Sequence, residues 1–271
     1  MTIHAVLKGL ATGTGLTMLT LTLPAGAEAA CSSPAAPKVD WSGCDLAGAD
    51  LAGADLSYAD LTNAKMPGAV LTEANLTGAT LRGTNLYRAY LRGAVMDAVD
   101  LSDANLTSAN LISAVLARAT LVGANLASAN LDGANLYQAD LEGVNLSNAS
   151  LRGADATFSN LSGANLGEAN LTKADLTNSD IVGANLYKAR MSEAVLSGSD
   201  LSESNLIEAN LRMAVLEEVD LMGSNLSEIN LTEAVLQGSD LSGSNLYRAR
   251  LSKTVWIDGK TCAESSRGKC N

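Results

Sequence analysis

Large apolar residues recur at every fifth position from Trp41 to Trp256, as at Leu51, Leu76, Leu126 and Leu166, without an insertion or a deletion. The stretch Ala49-Asp50-Leu51-Ala52-Gly53 shows the unit: a small residue stands two places before the large one, and most remaining positions are polar or glycine. Met66, Met96, Met191 and Ile181 replace Leu on this frame, Ala156 truncates it, and Trp occupies both ends. A period of five is neither the 3.6 of a helix nor the 2 of a long strand, so each unit is predicted to be a very short strand and a bend. Successive turns of such a chain bury what no single turn buries alone, which is the logic of a solenoid.

A second period sets the number of faces. The residue before the apolar position changes character every twenty residues. Asn165, Asn185, Asn205, Asn225 and Asn245 form one column, Asp180, Asp200, Asp220 and Asp240 another, and Val195, Val215, Val235 and Val255 a third. Twenty residues in units of five predict four faces per coil. The repeat then makes about eleven coils, and at the ordinary strand spacing of about 4.8 Å it forms a rod roughly 50 Å long.

The units Ala74-Asn75-Leu76 and Ala164-Asn165-Leu166, with their frame-mates over 41–256, resemble the pentapeptide-repeat family. The resemblance implies an all-β fold, a right-handed quadrilateral β-helix (β-solenoid). In it the Leu and the small residue two before it point inward, and the other three positions lie at the surface. The handedness comes from the resemblance alone.

Physical limits on the residue types follow. A twenty-residue coil has room for four large and four small inward side chains, so anything bigger than Ala at Ala49, Ala54 or Ala59 would overpack. Thr84, Val99, Val144 and Ile229 mark places where the coil must widen or a neighbour must yield. Each buried Leu contributes roughly 1.5–3 kcal/mol. Phe158 either folds over the gap left by Ala156 or sits outside on a bend. Gly48, Gly53, Gly123 and Gly163, second after the apolar residue, suit turns with positive φ. Arg88, Glu168 and Lys188 share that slot, which implies that positive φ is not required at every corner. Trp41 and Trp256 are the natural lids for the two open ends.

Outside the repeat the chain changes. Residues 1–29 read as a secretory signal peptide, with Lys8, an apolar run from Gly9 to Leu23 and an Ala27-x-Ala29 cleavage triplet. A linker follows over 30–40, then the repeat over 41–256 and a cysteine-containing tail over 257–271. The apolar run is too short and too rich in Thr and Gly to span a bilayer, so no stable membrane insertion is expected. The mature chain is expected in the periplasm, a lumen or the extracellular space. Glu28, three places before Cys31, argues against lipid attachment. In an oxidising compartment Cys31, Cys44, Cys262 and Cys270 are candidate disulfide partners. Local pairing, 31 with 44 and 262 with 270, is favoured because the whole repeat separates the pairs; free thiols are the alternative.

The chemistry of the chain points away from catalysis. Its one histidine, His4, lies in the segment expected to be removed, which leaves no imidazole for a triad or general base. No phosphate loop, Rossmann unit or Cys-x-x-Cys occurs, and no zinc set is within reach, so neither an enzyme nor a cofactor is expected. The net charge is −11. Between 193 and 240 ten acids, among them Glu193, Glu203, Glu217, Glu218 and Glu233, face Arg212 alone in the sequence. Nucleic acid is therefore disfavoured as a partner.

The expectation is a non-enzymatic, exported structural or protein-interaction scaffold that binds another protein or a second copy of itself. The alternative is an acidic DNA mimic: the family resemblance implies that some members imitate DNA and protect DNA gyrase, and the Asp column invites that comparison. The candidate interaction face is the Val195, Val215, Val235 and Val255 column where it runs near Asp200, Asp220 and Asp240. Tyr187, Ile207 and Tyr247, each following the apolar residue on another face, offer a second candidate. A flat ladder of carboxylates lacks a wrapped ligand set and promises weak calcium binding at best.

Overall fold

The computed structural model describes residues 31–271, so the expected signal peptide lies outside the described residues. From Asp40 onward one residue in five forms an isolated parallel bridge, and its partner stands twenty residues away: Asp40 with Asp60, Asn165 with Asn185, Val215 with Val235. After each bridge residue come the apolar residue, a two-residue turn and the small residue. The small residue's N–H closes the turn onto the apolar residue's carbonyl, as from Ala129 to Leu126 at 3.0 Å. Adjacent turns are joined by further backbone bonds. Leu126 N–H donates to the Asn145 carbonyl at 2.7 Å, Ser128 N–H to that of Ser147 at 2.9 Å, and Asn145 N–H to that of Ala124 at 3.0 Å.

This architecture corrects the expected all-β class. The repeat forms single bridges and turns, with no extended strand and no organised sheet, so it is not the right-handed quadrilateral β-helix (β-solenoid) of eleven coils that the resemblance implied. The reason lies in the unit. A strand needs successive extended residues, and here a turn interrupts the ladder after each bridge residue. The columns in the sequence do report the register of the bridges, which is twenty residues.

A second correction concerns the turns. Every second position after the apolar residue, from Gly43 to Lys253, has φ between 53° and 78°. Arg88, Glu168 and Lys188 are included, at 55°, 59° and 56°. Positive φ is thus required at every corner, as in a type II turn, whose third residue must adopt it. A side chain there costs about 1–2 kcal/mol. The stack tolerates this because the same backbone bond, from that residue's N–H to the next turn, recurs along the repeat.

The apolar frame is buried from Trp41 to Leu236, and Ala156 with it. Thr84, Val99, Val144 and Ile229 are buried in the small-residue slot, and Val219 joins them. Polar residues in that slot are hydrogen-bonded, so their burial costs little. The hydroxyls of Ser179, Ser199 and Ser224 donate to the carbonyls of Leu176, Leu196 and Leu221 in their own turns. Those of Thr84, Ser204 and Thr254 donate to Leu61, Ile181 and Leu231 in the neighbouring turn. Phe158 points outward on its turn, edge-on to Tyr137 with ring centroids 5.9 Å apart, and does not fold over Ala156.

The two ends close differently. Trp41 is buried, with Ala35 and Val39 packed on the core beside it, and Cys31 is joined to Cys44. The repeat's bonding pattern already holds at 38–40, where Lys38 N–H donates to Ser57 and Val39 accepts from Asp60. At the other end Trp256 is only partly buried and is not a lid by itself. The tail folds back antiparallel, bridging Arg267 to Arg250 and Thr261 to Val255, and a Cys262–Cys270 disulfide fastens it.

Candidate interaction surface

Four columns of bridge residues run along the stack. The first ends in Asp180, Asp200, Asp220 and Asp240, the second in Asn205, Asn225 and Asn245, the third in Arg190, Asn210, Asn230 and Arg250, and the fourth in Val195, Val215, Val235 and Val255. The first two owe their composition to local structure. Each Asp Oδ1 of the first column accepts the backbone N–H two residues on: Val182 at 3.2 Å, then Ser202, Met222 and Ser242 at 2.8 Å. Asn residues make the same bond and also pair with one another, as Asn205 Nδ2 does with Asn185 Oδ1 at 3.1 Å. Hydrogen bonds from Ser242, side chain first and backbone second, hold the Asp240 carboxyl below its usual range. Among the described residues no group of three acidic, His or Cys side chains is placed to hold a metal ion.

The Val column is a shallower feature than an exposed stripe. Its four side chains stack in consecutive bridges, and each is half-buried. Beside it lies a shallow depression bordered by Ser197, Glu217, Gln237, Gly198, Glu218 and Gly238. The Asp200, Asp220 and Asp240 column begins the next unit, so the Val and Asp columns flank Glu217 and Glu218 on one continuous edge. Tyr187, Ile207 and Tyr247 lie a further unit round and do not join this edge. Tyr187 and Ile207 are half-buried there and Tyr247 is exposed. Cations cover two of these rings, Lys188 at 4.9 Å from that of Tyr187 and Arg248 at 5.3 Å from that of Tyr247, and Arg88 treats Tyr87 in the same way at 5.1 Å.

Stacking also redistributes the charge. Glu193 pairs with Lys173 at 3.5 Å, Glu208 with Lys188 at 3.6 Å, Glu228 with Arg248 at 3.6 Å and Glu233 with Arg212 at 2.6 Å. Three of these cations lie outside 193–240, so the count that set ten acids against Arg212 alone is corrected: a neighbour in space is twenty residues away in sequence. Three of the pairs were legible as opposite signs in one slot at that interval; Arg212 and Glu233 are 21 residues apart and reach across adjacent slots. Asp200, Glu203, Glu217, Glu218, Asp220 and Asp240 have no ion pair among the described residues. Five of the six stand on the edge between the fourth and first columns, and Glu203 lies on the turn after the first column.

Models of pentapeptide repeats match residues 38–68, 69–108, 109–148 and 149–186, and a pentapeptide repeat region model matches 169–246. The chain is a pentapeptide-repeat protein. Among solved structures, HetL, a pentapeptide repeat protein involved in heterocyst differentiation regulation in the cyanobacterium Nostoc sp. strain PCC 7120, is 32% identical. That match covers 83% of this chain and 90% of HetL, with a TM-score of 0.40. QnrB1, a plasmid-mediated fluoroquinolone resistance protein, is 22% identical over 68% of this chain and 90% of its own, with a TM-score of 0.44. A pentapeptide repeat protein of the Arabidopsis thaliana thylakoid lumen is 22% identical over 44% of this chain and 81% of its own, with a TM-score of 0.23. With scores this low, the likeness is one of repeat and does not extend to superposition of whole chains. No curated protein matches. Among the described residues no helix is long and apolar enough to cross a membrane.

Proposed function

We propose that this pentapeptide-repeat protein is an exported, non-enzymatic interaction rod, and that its docking edge runs between the Val195–Val255 column and the Asp200–Asp240 column. The observation that carries the reading is the set of five carboxylates without an ion pair, Asp200, Glu217, Glu218, Asp220 and Asp240, beside a half-buried Val ridge. On the other faces Glu193, Glu208, Glu228 and Glu233 are each matched by a cation one turn away. Such an edge fits a basic protein surface with a small apolar centre, because rim charges steer the encounter and the apolar ridge supplies desolvated contact. Export rests on the Lys8, apolar-run and Ala27-x-Ala29 sequence and on the two cysteine pairs.

The same carboxylates favour a second reading, in which the partner is a DNA-binding protein such as DNA gyrase and the acidic edge takes the place of DNA phosphates. Direct titration of purified gyrase, with and without competing DNA, separates the two. Binding that DNA displaces, and that Glu217→Gln with Glu218→Gln and Asp220→Asn abolishes, establishes the mimic. Absence of binding removes that reading. Val215→Ser with Val235→Ser, followed by recovery of envelope partners from the native source, tests the docking edge. Unchanged recovery with both the charge and the Val variants rejects the edge.

A further inference from the structure

The two ends of the stack differ in charge and in their free backbone groups. Residues 31–60 carry five Asp, at every bridge position from Asp40 to Asp60, against Lys38 alone, a net of −4. Residues 248–271 carry six Arg and Lys against Asp258 and Glu264, a net of +4. Arg250, Arg267 and Lys269 are exposed there and have no ion pair among the described residues.

Backbone pairing stops at both ends as well. Inside the stack, the N–H groups of Leu201, Glu203, Leu206 and Glu208 donate to the carbonyls of Asp220, Met222, Asn225 and Ser227. At the last turn the equivalent donors are Leu241, Gly243, Leu246 and Arg248, and their N–H groups have no partner among the described residues. Leu241 and Leu246, like Trp256, are only partly buried on a frame that is otherwise buried. At the first turn the carbonyls of Asp45, Ala47, Asp50 and Ala52 accept no backbone bond from the described residues, and they have the same two-three-two spacing. The folded-back tail covers the remaining units of the last turn, and residues 31–40 lie against those of the first turn, by the Lys38–Ser57 bond and the Cys31–Cys44 disulfide. Each end is thus a step beside an open ledge.

We propose that copies of this chain stack head to tail, the basic C-terminal end of one on the acidic N-terminal end of the next, with a quarter-turn between them. The quarter-turn lets each step fill the other's ledge, so that the folded-back tail of one molecule covers the carbonyls left unpaired on the next, and residues 31–40 of that molecule cover the N–H groups left unpaired on the first. Opposite net charges at the two ends select this polarity and oppose stacking of like ends. The interface is heterologous and generates an open assembly rather than a closed pair. It uses the ends alone and stands independently of the docking edge on the side of the rod.

The test uses the protein purified from its native source, with the N-terminus it carries there, and measures molar mass by sedimentation across a concentration series. The mass is expected to grow with concentration beyond that of a dimer, and to fall toward the monomer near 1 M salt, where the screening length is about 3 Å. Asp45→Lys with Asp50→Lys and Asp55→Lys makes both ends basic, and Arg267→Glu with Lys269→Glu lowers the charge of the C-terminal end to zero. Lys65 occupies a bridge position naturally, so Lys is tolerated there. The Asp45→Lys, Asp50→Lys, Asp55→Lys variant is expected to stay monomeric with an unchanged circular dichroism spectrum. Adding Arg250→Glu to the second variant makes both of its ends acidic; alone it also stays monomeric, and an equimolar mixture of the two regains assembly. A wild type that is monomeric at every concentration, or that stops at a dimer, overturns the proposal, as does a mixture that fails to assemble.

Discussion

Asn185 Nδ2 donates to Asn165 Oδ1 at 3.0 Å, and the same Asn165 oxygen accepts the Gly167 N–H at 3.2 Å. One side chain therefore closes its own corner and fastens the turn after it. The link repeats upward from Asn165 to Asn145 and onward from Asn205 to Asn185. Asn185→Asp keeps the corner bond but turns the donor facing Asn165 into a charged acceptor. It is expected to cost about 1 kcal/mol, the scale of a single net hydrogen bond, read as a lower thermal midpoint. Asn160, which donates to Asp140 at 3.1 Å, shows that the ladder accepts Asp where the next residue is Asn. An Asn185→Asp variant as stable as wild type means the ladder contributes nothing.

Burial separates positions only two residues apart. Leu126 is fully buried on the apolar frame, whereas Ser128 is exposed on its turn. Leu126→Asp puts a charge in a dry core and is expected to unfold or split the stack. Ser128→Asp is expected to stay within about 0.5 kcal/mol of wild type. Denaturant midpoints of the two variants check this, and equal losses would reject the assigned frame.

The corners carry strain that substitution can expose. At Gly53 an added Cβ meets nothing within 4 Å, but φ is +64°, so Gly53→Ala is expected to lose about 1 kcal/mol from conformation alone. At Gly78 the same Cβ would lie 2.6 Å from Tyr58 Cε1, and Gly78→Ala is expected to lose more. Ser128→Gly removes the strain at a φ of 58° and should not destabilise. Thermal midpoints that rank these variants in the opposite order would contradict a conformational origin.

Acid sensitivity follows from the Asp corners. Hydrogen bonds from Ser42, Ser57 and Ser242, side chain first in each case, hold Asp40, Asp55 and Asp240 below the usual carboxylate range. A carboxyl depressed in the folded state stabilises it fully above the unfolded value of about 3.9, and that contribution is lost as pH falls through the lower, folded value. The thermal midpoint is expected to stay level down to about pH 4 and to fall below it. Asp240→Asn keeps the acceptor for the corner and should reduce the drop. A midpoint that rises below pH 4 would reverse the sign assigned to these groups.

The twenty-residue register was legible because each column of bridge residues keeps its own character: in the first two Asp and Asn supply an oxygen that closes the corner, and the fourth turns to Val over its last members. The corner conformation was not. Arg88, Glu168 and Lys188 follow ordinary propensity in appearing to reject positive φ, but the bonds between turns impose it on whatever residue occupies the slot. Strand content was overestimated for a related reason, since a column of equivalent residues looks the same whether each unit adds one bridged residue or several. The tail was read as polar chain beyond the repeat, and nothing in 257–271 signals that Arg267 returns to Arg250. On the candidate surface, the Val and Asp columns could be named from spacing. The acidic edge between them emerged only when Lys173, Lys188 and Arg248 were seen to neutralise carboxylates twenty residues away.

The central claim is that residues twenty apart are direct neighbours and that this stacking builds every surface feature of the molecule. Asn145 bridges Asn165, so the residues that follow the intervening Leu, Ser147 and Gly167, also lie on adjacent turns. Adjacent turns at about 4.8 Å fall inside the 4.4–6.8 Å span that a disulfide requires between Cα atoms. Ser147→Cys combined with Gly167→Cys should therefore oxidise to an intramolecular crosslink, found by peptide mapping, whereas Ser147→Cys combined with Ser162→Cys, fifteen residues apart, should not. A crosslink in the second pair and none in the first would contradict the register.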